Sequence, residues 1–167
     1  MFYIIITIIR KECINFMNII TVDAGKFQGK GLLNSNGRSF RTKMEKVDKN
    51  FKLNNYNDFH VKWNDEYYLI GDGDRYVHYD TTKHKLQHKL STYILCSELL
   101  QEINNKDVYL VILSPLSMYV NERAREEFKY FIFNNGKIRF QLNHNDVNFN
   151  IKDITVLGEV CSVPFNN

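Results

Sequence analysis

The chain has 167 residues, a formal net charge of +3 and 44% hydrophobic residues. This composition predicts one globular domain with a sizeable core and excludes an intrinsically disordered chain. The small positive charge does not by itself argue for nucleic-acid binding. Three scattered cysteines without a C-x-x-C pair are typical of a reducing compartment, so we expect a cytoplasmic protein.

The first segment, residues 1–16, is predicted to be an extension outside the domain. Met1–Ile9 is nearly all apolar and is followed by Arg10. This run is too short to cross a bilayer, which takes about 20 residues. The positive charges follow the apolar run, unlike those of a signal peptide. We expect the domain at 17–160 and a tail at 161–167; an extra strand or a peripheral membrane tether is the alternative for the extension.

The next segment predicts a β-hairpin with a polar tip. Ile19–Val22 is apolar and β-branched, Asp23 and Gly25 follow, and the apolar run resumes over Gly29–Leu33. Glycine suits a tight turn whose backbone N–H groups point into one concavity, which favours phosphate oxygens. Asp23 is a candidate to hold Mg²⁺ through water, and Lys30 adds positive charge. On the residues alone, an ordinary hairpin is the alternative.

The following part predicts short antiparallel strands and polar connections. Arg38–Lys43 is a candidate edge strand, and Met44–Phe59, which has no clear period, is predicted to be a surface loop. His60–Trp63 and Glu66–Ile70 flank an Asn-Asp pair and form a hairpin. Gly71–Asp74 is interpreted as a solvated turn, because it lacks the spaced ligands of a calcium loop.

The strongest helical pattern covers Lys83–Asn104. His84 and His88 have the spacing of zinc ligands, but no third ligand is nearby, so two solvated histidines beside lysines are the favoured interpretation. Apolar or small residues recur at the spacing of one buried helix face, namely Leu86, Leu90, Tyr93, Ile94, Ser97, Leu100 and Ile103.

The remaining segments predict alternating strands and one more helix. Asp107–Leu113 is an unbroken apolar run typical of a central strand. A second helix is expected over Tyr119–Phe133. Lys137–Leu142 and Val147–Ile151 alternate like a hairpin, and Ile154–Glu159 is expected to be a separate strand that enters a turn.

The hairpin carries a resemblance to a known family. Asp23-Ala-Gly25, with Lys30 seven residues after the aspartate, resembles the first phosphate loop of the actin superfamily. The surrounding sequence is similar to the ParM-like bacterial actins that segregate plasmids. Tyr68–Gly73 also resembles a strand end of that family. Glu159 matches a carboxylate of that family, although Gly158 replaces the usual proline.

The resemblance implies an α/β, ribonuclease-H-like domain with a mixed five-stranded sheet, an antiparallel meander and two main helices. It implies ATP or GTP with Mg²⁺ as cofactor. Asp23 would hold the hydrated Mg²⁺, and Glu159 would orient the water that attacks the γ-phosphate. Core packing is the alternative for Phe27. The residues that would bind the phosphates are Gly25, Lys26, Phe27, Gln28 and Lys30.

The resemblance covers Met17–Glu159, which corresponds to the first domain of the family. The second phosphate loop, of the D-x-G-G-x-T type, is not found in these 167 residues. We therefore expect a truncated domain, a very poor ATPase alone, that self-associates or pairs with a full-length actin-like protein. A plasmid adaptor is a further expected partner, without direct DNA or membrane binding. The alternatives are a non-catalytic half-actin that caps filaments and a relative of sugar or acetate kinases.

Overall fold

The computed structural model describes residues 18–25, 27–53, 57–72 and 85–159. The described strands are β1 (Asn18–Ala24), β2 (Gln28–Leu33), β3 (Asn36–Arg41), β4 (Lys43–Val47), β5 (Phe59–Trp63), β6 (Glu66–Gly71), β7 (Asp107–Ser114), β8 (Lys137–Leu142) and β9 (Asn145–Gly158). The described helices are α1 (Lys85–Leu99), α2 (Leu116–Val120) and α3 (Glu122–Phe133), followed by a 3₁₀ turn at Asn134–Gly136.

The described strands form one mixed sheet in the order β3-β2-β1-β7-β9-β8-β5-β6-β4. β1, β7 and β9 are parallel, and the other neighbouring pairs are antiparallel. The predicted α/β class and the opening meander are confirmed. The predicted number of five strands is wrong, because this sheet has nine. The β5–β6 hairpin joins the sheet through β8, and β4 adds to β6.

The prediction of a surface loop over Met44–Phe59 is wrong for its first residues. Lys43–Val47 forms β4, an edge strand that pairs with β6. Its charged residues face water, and Lys46 forms an ion pair with Glu66 of β6. Because a charged edge strand lacks the alternation of a half-buried strand, the sequence did not predict it.

The two strands predicted at the end of the domain are one strand, β9, of 14 residues. Ile151 pairs with Val108 of β7, but the next pair joins Asp153 to Tyr109, so Lys152 is an extra residue in the ladder. Such a β-bulge bends a strand without ending it. Two adjacent charged residues at the bulge interrupt the apolar alternation. The prediction had interpreted this interruption as a gap between two strands.

Helix α1 is enclosed by the sheet. The two ends of the strand order, β3 and β4, are separated along the chain by Thr42 alone, so the sheet has to curl. On one side of α1, Leu95 packs against Gly31 of β2; on the other, Tyr93 contacts Trp63 of β5, with ring centroids 5.6 Å apart. All residues from 89 to 96 are buried. The prediction of one buried face was therefore too narrow, because a helix packed on several sides is buried all round.

The single helix predicted over Tyr119–Phe133 is two helices. Asn121, between α2 and α3, has an extended backbone, and its side chain accepts a hydrogen bond from the N–H of Ala124 at 3.0 Å. Asparagine is a strong N-cap residue, and here it starts α3 afresh. In the described part of the chain, no helix is long and apolar enough to span a bilayer.

Candidate nucleotide-phosphate site

The candidate site lies where the three parallel strands end. Asp23 of β1 is in register with Leu113 of β7, which is in register with Leu157 of β9. The N–H of Glu159, just after β9, donates to the carbonyl of Ser114 at 2.8 Å. Since the carboxyl ends of parallel strands meet at one edge, Asp23 and Glu159 belong to the same rim, where open α/β sheets usually bind ligands.

The turn between β1 and β2 is fixed by Thr42. The Thr42 hydroxyl donates to the Gly25 carbonyl at 2.9 Å, and the Thr42 N–H donates to the Phe27 carbonyl at 3.2 Å. A Cβ atom on Gly25 would lie 2.8 Å from the Gln28 carbonyl oxygen, so a larger residue would force the turn apart. Lys26 lies outside the described residues. The loop backbone is thus held tightly against the sheet.

Phe27 does not pack in the core. Its side chain is 64% exposed, so the core-packing alternative is wrong. It therefore lies on the surface of the turn, where it is accessible to a ligand or to another protein segment.

Asp23 and Lys30 are cross-strand neighbours on the face of the sheet opposite α1. They pair across β1 and β2, while Val22 and Gly31, the next pair along, point towards α1. Among the described residues, the Asp23 carboxylate has no hydrogen bond and no ion pair. It is half-buried, and burial raises its pKa above the ordinary 3.8, although Lys30 and then His88 act in the opposite direction.

Glu159 is electrostatically coupled to Asp23. Its side chain is exposed, yet partial burial of the carboxyl group, and after that the negative charge of Asp23, raises its pKa. The two carboxylates therefore lie near enough to repel each other. A divalent cation or a water network between them would relieve this repulsion.

The first turn of α1 supports the site, which the sequence did not predict. Nδ1 of His88 lies 2.6 Å from the Ala24 carbonyl, and because a carbonyl only accepts, Nδ1 carries the proton. The Gln87 amide donates to the Thr42 carbonyl. These contacts join residues far apart along the chain, so no local pattern could indicate them. His84, the other histidine of the considered zinc pair, lies outside the described residues.

The residues present fit a hydrated Mg²⁺ and phosphate groups. Mg²⁺ keeps most of its water and commonly takes one or two carboxylates, and Asp23 offers one that is not engaged among the described residues. Lys30 is exposed beside it, and at Gly25 the turn has no side chain to cover its backbone. No group of three or more metal-ligating side chains occurs among the described residues, which excludes a tightly caged metal from that part of the chain.

Comparison with known proteins identifies the family. The family described as "Actin like proteins N terminal domain" matches residues 21–159. This chain belongs to the actin-like proteins. The resemblance to ParM-like bacterial actins is thereby confirmed for the N-terminal domain. Comparison with curated proteins finds no significant match.

Solved filament proteins share the actin-like fold. The Alp12 filament structure is 26% identical, with a TM-score of 0.64, and the match covers 85% of this chain and 46% of that chain. The AlfA filament bound to AMPPNP is 14% identical, with a TM-score of 0.61, covering 87% and 55%. The apo pSK41 ParM protein is 15% identical, with a TM-score of 0.63, covering 86% and 50%. This actin-like chain thus spans about half the length of the structures it matches.

Proposed function

We propose that this chain supplies one wall of the nucleotide site in an actin-type protein that forms filaments to segregate plasmid or prophage DNA in the cytoplasm. The observation that carries the proposal is the shared rim: Asp23, the Thr42-fixed turn and Glu159 meet at the carboxyl edge of three parallel strands. In a member of the actin-like proteins, that rim is the natural place for nucleotide phosphates.

Each residue of the rim has one role in this proposal. Asp23 holds a hydrated Mg²⁺, which when bound supplies positive charge against the phosphates. The backbone of residues 25–28 and the ammonium group of Lys30 bind the β- and γ-phosphates. Glu159 orients the attacking water, and its raised pKa moves the carboxylate towards the range in which it accepts a proton well.

One wall is insufficient for efficient turnover. Phosphoryl transfer depends on positioning and charge stabilisation from all sides of the phosphate. The described residues would contact the phosphate from one side only. We therefore propose that a second wall comes from another polypeptide segment, from a further copy or from a full-length actin-like protein. A DNA-bound adaptor would link the filament to its cargo, without direct DNA contact by this chain.

The test is complementation of ATP hydrolysis. The purified chain alone should hydrolyse ATP no faster than buffer, and addition of a polypeptide that carries the second half should restore turnover. The E159A variant should lower the restored turnover by about a hundredfold with little change in nucleotide affinity. Efficient turnover by the chain alone, or restored turnover that is indifferent to E159A, would contradict the proposal.

A second candidate function is a non-catalytic half-actin that binds or caps filaments. It is favoured by the fold that this chain shares with the Alp12 and AlfA filament structures, since a shared fold can offer similar surfaces for filament contact. A capping module should slow the growth of full-length filaments at substoichiometric amounts and co-sediment with them, whether or not residue 159 is glutamate. Restored ATP hydrolysis that requires Glu159 would favour the nucleotide-site function over the capping function.

A further inference from the structure

A second cleft lies at the opposite end of β9 from Glu159 and the candidate nucleotide site. β5 ends at the turn of the β5–β6 hairpin, so it pairs with β8 only through Val61↔Leu142 and Lys62↔Gln141. Residues 137–140 of β8 pair with β9 on one side, but with no described strand on the other. This leaves a free backbone edge of four residues, about 13 Å long at the rise of a strand.

The free edge borders an open cleft. The cleft has a volume of about 840 Å³ and lies between β8, β9 and the tip of the β5–β6 hairpin. Ile138 and Phe140 lie along its floor, while Asn64 and Asp65 lie at one end. Because β5 stops at this end, the cleft occupies the place where a longer neighbouring strand would continue the ladder.

The cleft carries positive charge that the described residues do not neutralise. Lys137 and Arg139 are exposed, sit two residues apart on one face of β8, and have no ion pair with any described residue. The cleft has a net positive charge, because its three basic residues, Lys62, Lys137 and Arg139, outnumber the acidic Asp65 and Asp146. Asp65 pairs with Lys62 at 3.2 Å, and Asp146 accepts a hydrogen bond from Gln141 at 2.9 Å.

Charge on an edge strand also limits unwanted pairing with other strands. Lysine and arginine on a free edge discourage pairing with neutral or basic strands. The same charges favour pairing with an acidic strand. Alternate side chains of an extended peptide repeat about every 6.6–6.8 Å, so acidic side chains at alternate positions match the spacing of Lys137 and Arg139. The edge therefore selects its partner by charge.

We propose that this cleft binds an extended acidic segment of a partner protein, which adds to β8 as a further strand. Its backbone pairs with residues 137–140, and carboxylates at alternate positions meet Lys137 and Arg139. Main-chain hydrogen bonds supply affinity and the charges supply specificity, as in other strand-addition interfaces. This site is separate from the rim of Asp23 and Glu159 and does not depend on nucleotide.

The test uses the full chain and a fluorescein-labelled ten-residue peptide in which glutamate alternates with threonine. Fluorescence anisotropy should show saturable binding with a Kd of about 10–100 µM that weakens as salt is raised. K137E/R139E should weaken binding at least tenfold and should instead bind the matching lysine–threonine peptide. The control R123E/K129E, with the same change of net charge on α3, should bind like the wild type.

A second probe separates strand addition from charge attraction alone. The same acidic peptide, N-methylated at every second residue so that it cannot donate to β8, should lose binding at least tenfold. Equal binding of the methylated peptide, or equal weakening by R123E/K129E, would overturn the proposal. So would a dimer of the chain, in analytical ultracentrifugation, that dissociates in K137E/R139E, because the occupant would then be a second copy. Circular dichroism confirms that each variant is folded.

Discussion

At the scale of single residues, the two rim carboxylates have raised pKa values, so the folded state disfavours their ionised forms. Burial raises the pKa of Asp23, and burial with the charge of Asp23 raises the pKa of Glu159. The folded state therefore holds these protons more tightly than the unfolded chain does. Stability contributed by the protonated carboxyls is lost as pH rises from their ordinary pKa values through the raised ones. Such a loss is common at functional sites.

The first prediction follows from the raised pKa of Asp23. D23N should raise the free energy of unfolding at pH 7 by about 0.5–1 kcal/mol, because the amide needs no ionisation in a half-buried place. The gain should disappear near pH 3, where the wild-type carboxyl is protonated. Urea unfolding at both pH values measures it, with D146N, at an exposed carboxylate in the other cleft, as control. A D23N variant less stable than the wild type at pH 7 would show that Asp23 has a structural role instead.

His60 gives the opposite pH dependence. His60 is 2% exposed, its Nε2 has no hydrogen-bond partner in the described part of the chain, and its ring lies 5.0 Å from that of His144. Burial, and next the charge of His144, lowers the pKa of His60 below 6.5, although a hydrogen bond to the Asp48 backbone raises it. Because the folded state disfavours the protonated ring, stability present above pH 6.5 is lost as pH falls through the lowered pKa.

The second prediction is that wild-type stability falls by about 1 kcal/mol between pH 6.5 and about pH 5. H60F should remove most of this loss, because phenylalanine fills the buried site without a titratable group. H144Q should remove a smaller part. Urea unfolding at several pH values measures the slope, and an H60F variant with the wild-type slope would contradict the role assigned to His60.

At the scale of elements, α1 is the buried helix around which the sheet curls. The Tyr93 hydroxyl donates to the Ile132 carbonyl of α3 at 2.7 Å, which ties the two helices together. Ser91 and Thr92, the two residues before Tyr93, are fully buried, and their hydroxyls have no hydrogen-bond partner among the described residues. The buried hydroxyl of Tyr93 is thus satisfied, whereas those of Ser91 and Thr92 are not satisfied by any described residue.

The third prediction contrasts these groups. Y93F should lower the free energy of unfolding by about 1 kcal/mol, because it leaves the Ile132 carbonyl without its donor. T92V keeps the shape and removes an unsatisfied hydroxyl, so it should be neutral or stabilising by up to about 1 kcal/mol. Chemical unfolding of the two variants measures the difference, and a T92V variant less stable than Y93F would contradict the described packing.

The sequence predicts an element of this fold when the signal for that element lies in neighbouring residues. The β1–β2 hairpin and the β5–β6 hairpin have local signals, apolar alternation around a glycine or an Asn-Asp turn, and both were predicted. The edge strand β4 and the bulge at Lys152 have polar residues where the pattern needs apolar ones. For the candidate site, Asp23 and Lys30 were proposed from the family resemblance, but Thr42 and His88 reach the rim only through tertiary contacts.

At the scale of the whole molecule, Thr42 connects the rim to the curled sheet and to α1. The link between β3 and β4, at Thr42, lies beside the β1–β2 turn and receives a hydrogen bond from α1. The turn, the sheet ends and the enclosed helix are thereby joined at one place. A pre-organised backbone of this kind is what the proposed phosphate site requires.

The central claim is that this rim is a phosphate-binding wall, and its most direct test is nuclear magnetic resonance on the full chain labelled with ¹⁵N. Addition of Mg²⁺ and ATP at millimolar concentration, which detects weak binding, should shift the amides of residues 23–30 and of Glu159, and D23N should remove the Mg²⁺-dependent part. Shifts confined to other residues, such as those of the β8 cleft, or no shift at the rim at saturating Mg²⁺ and ATP, would contradict the account.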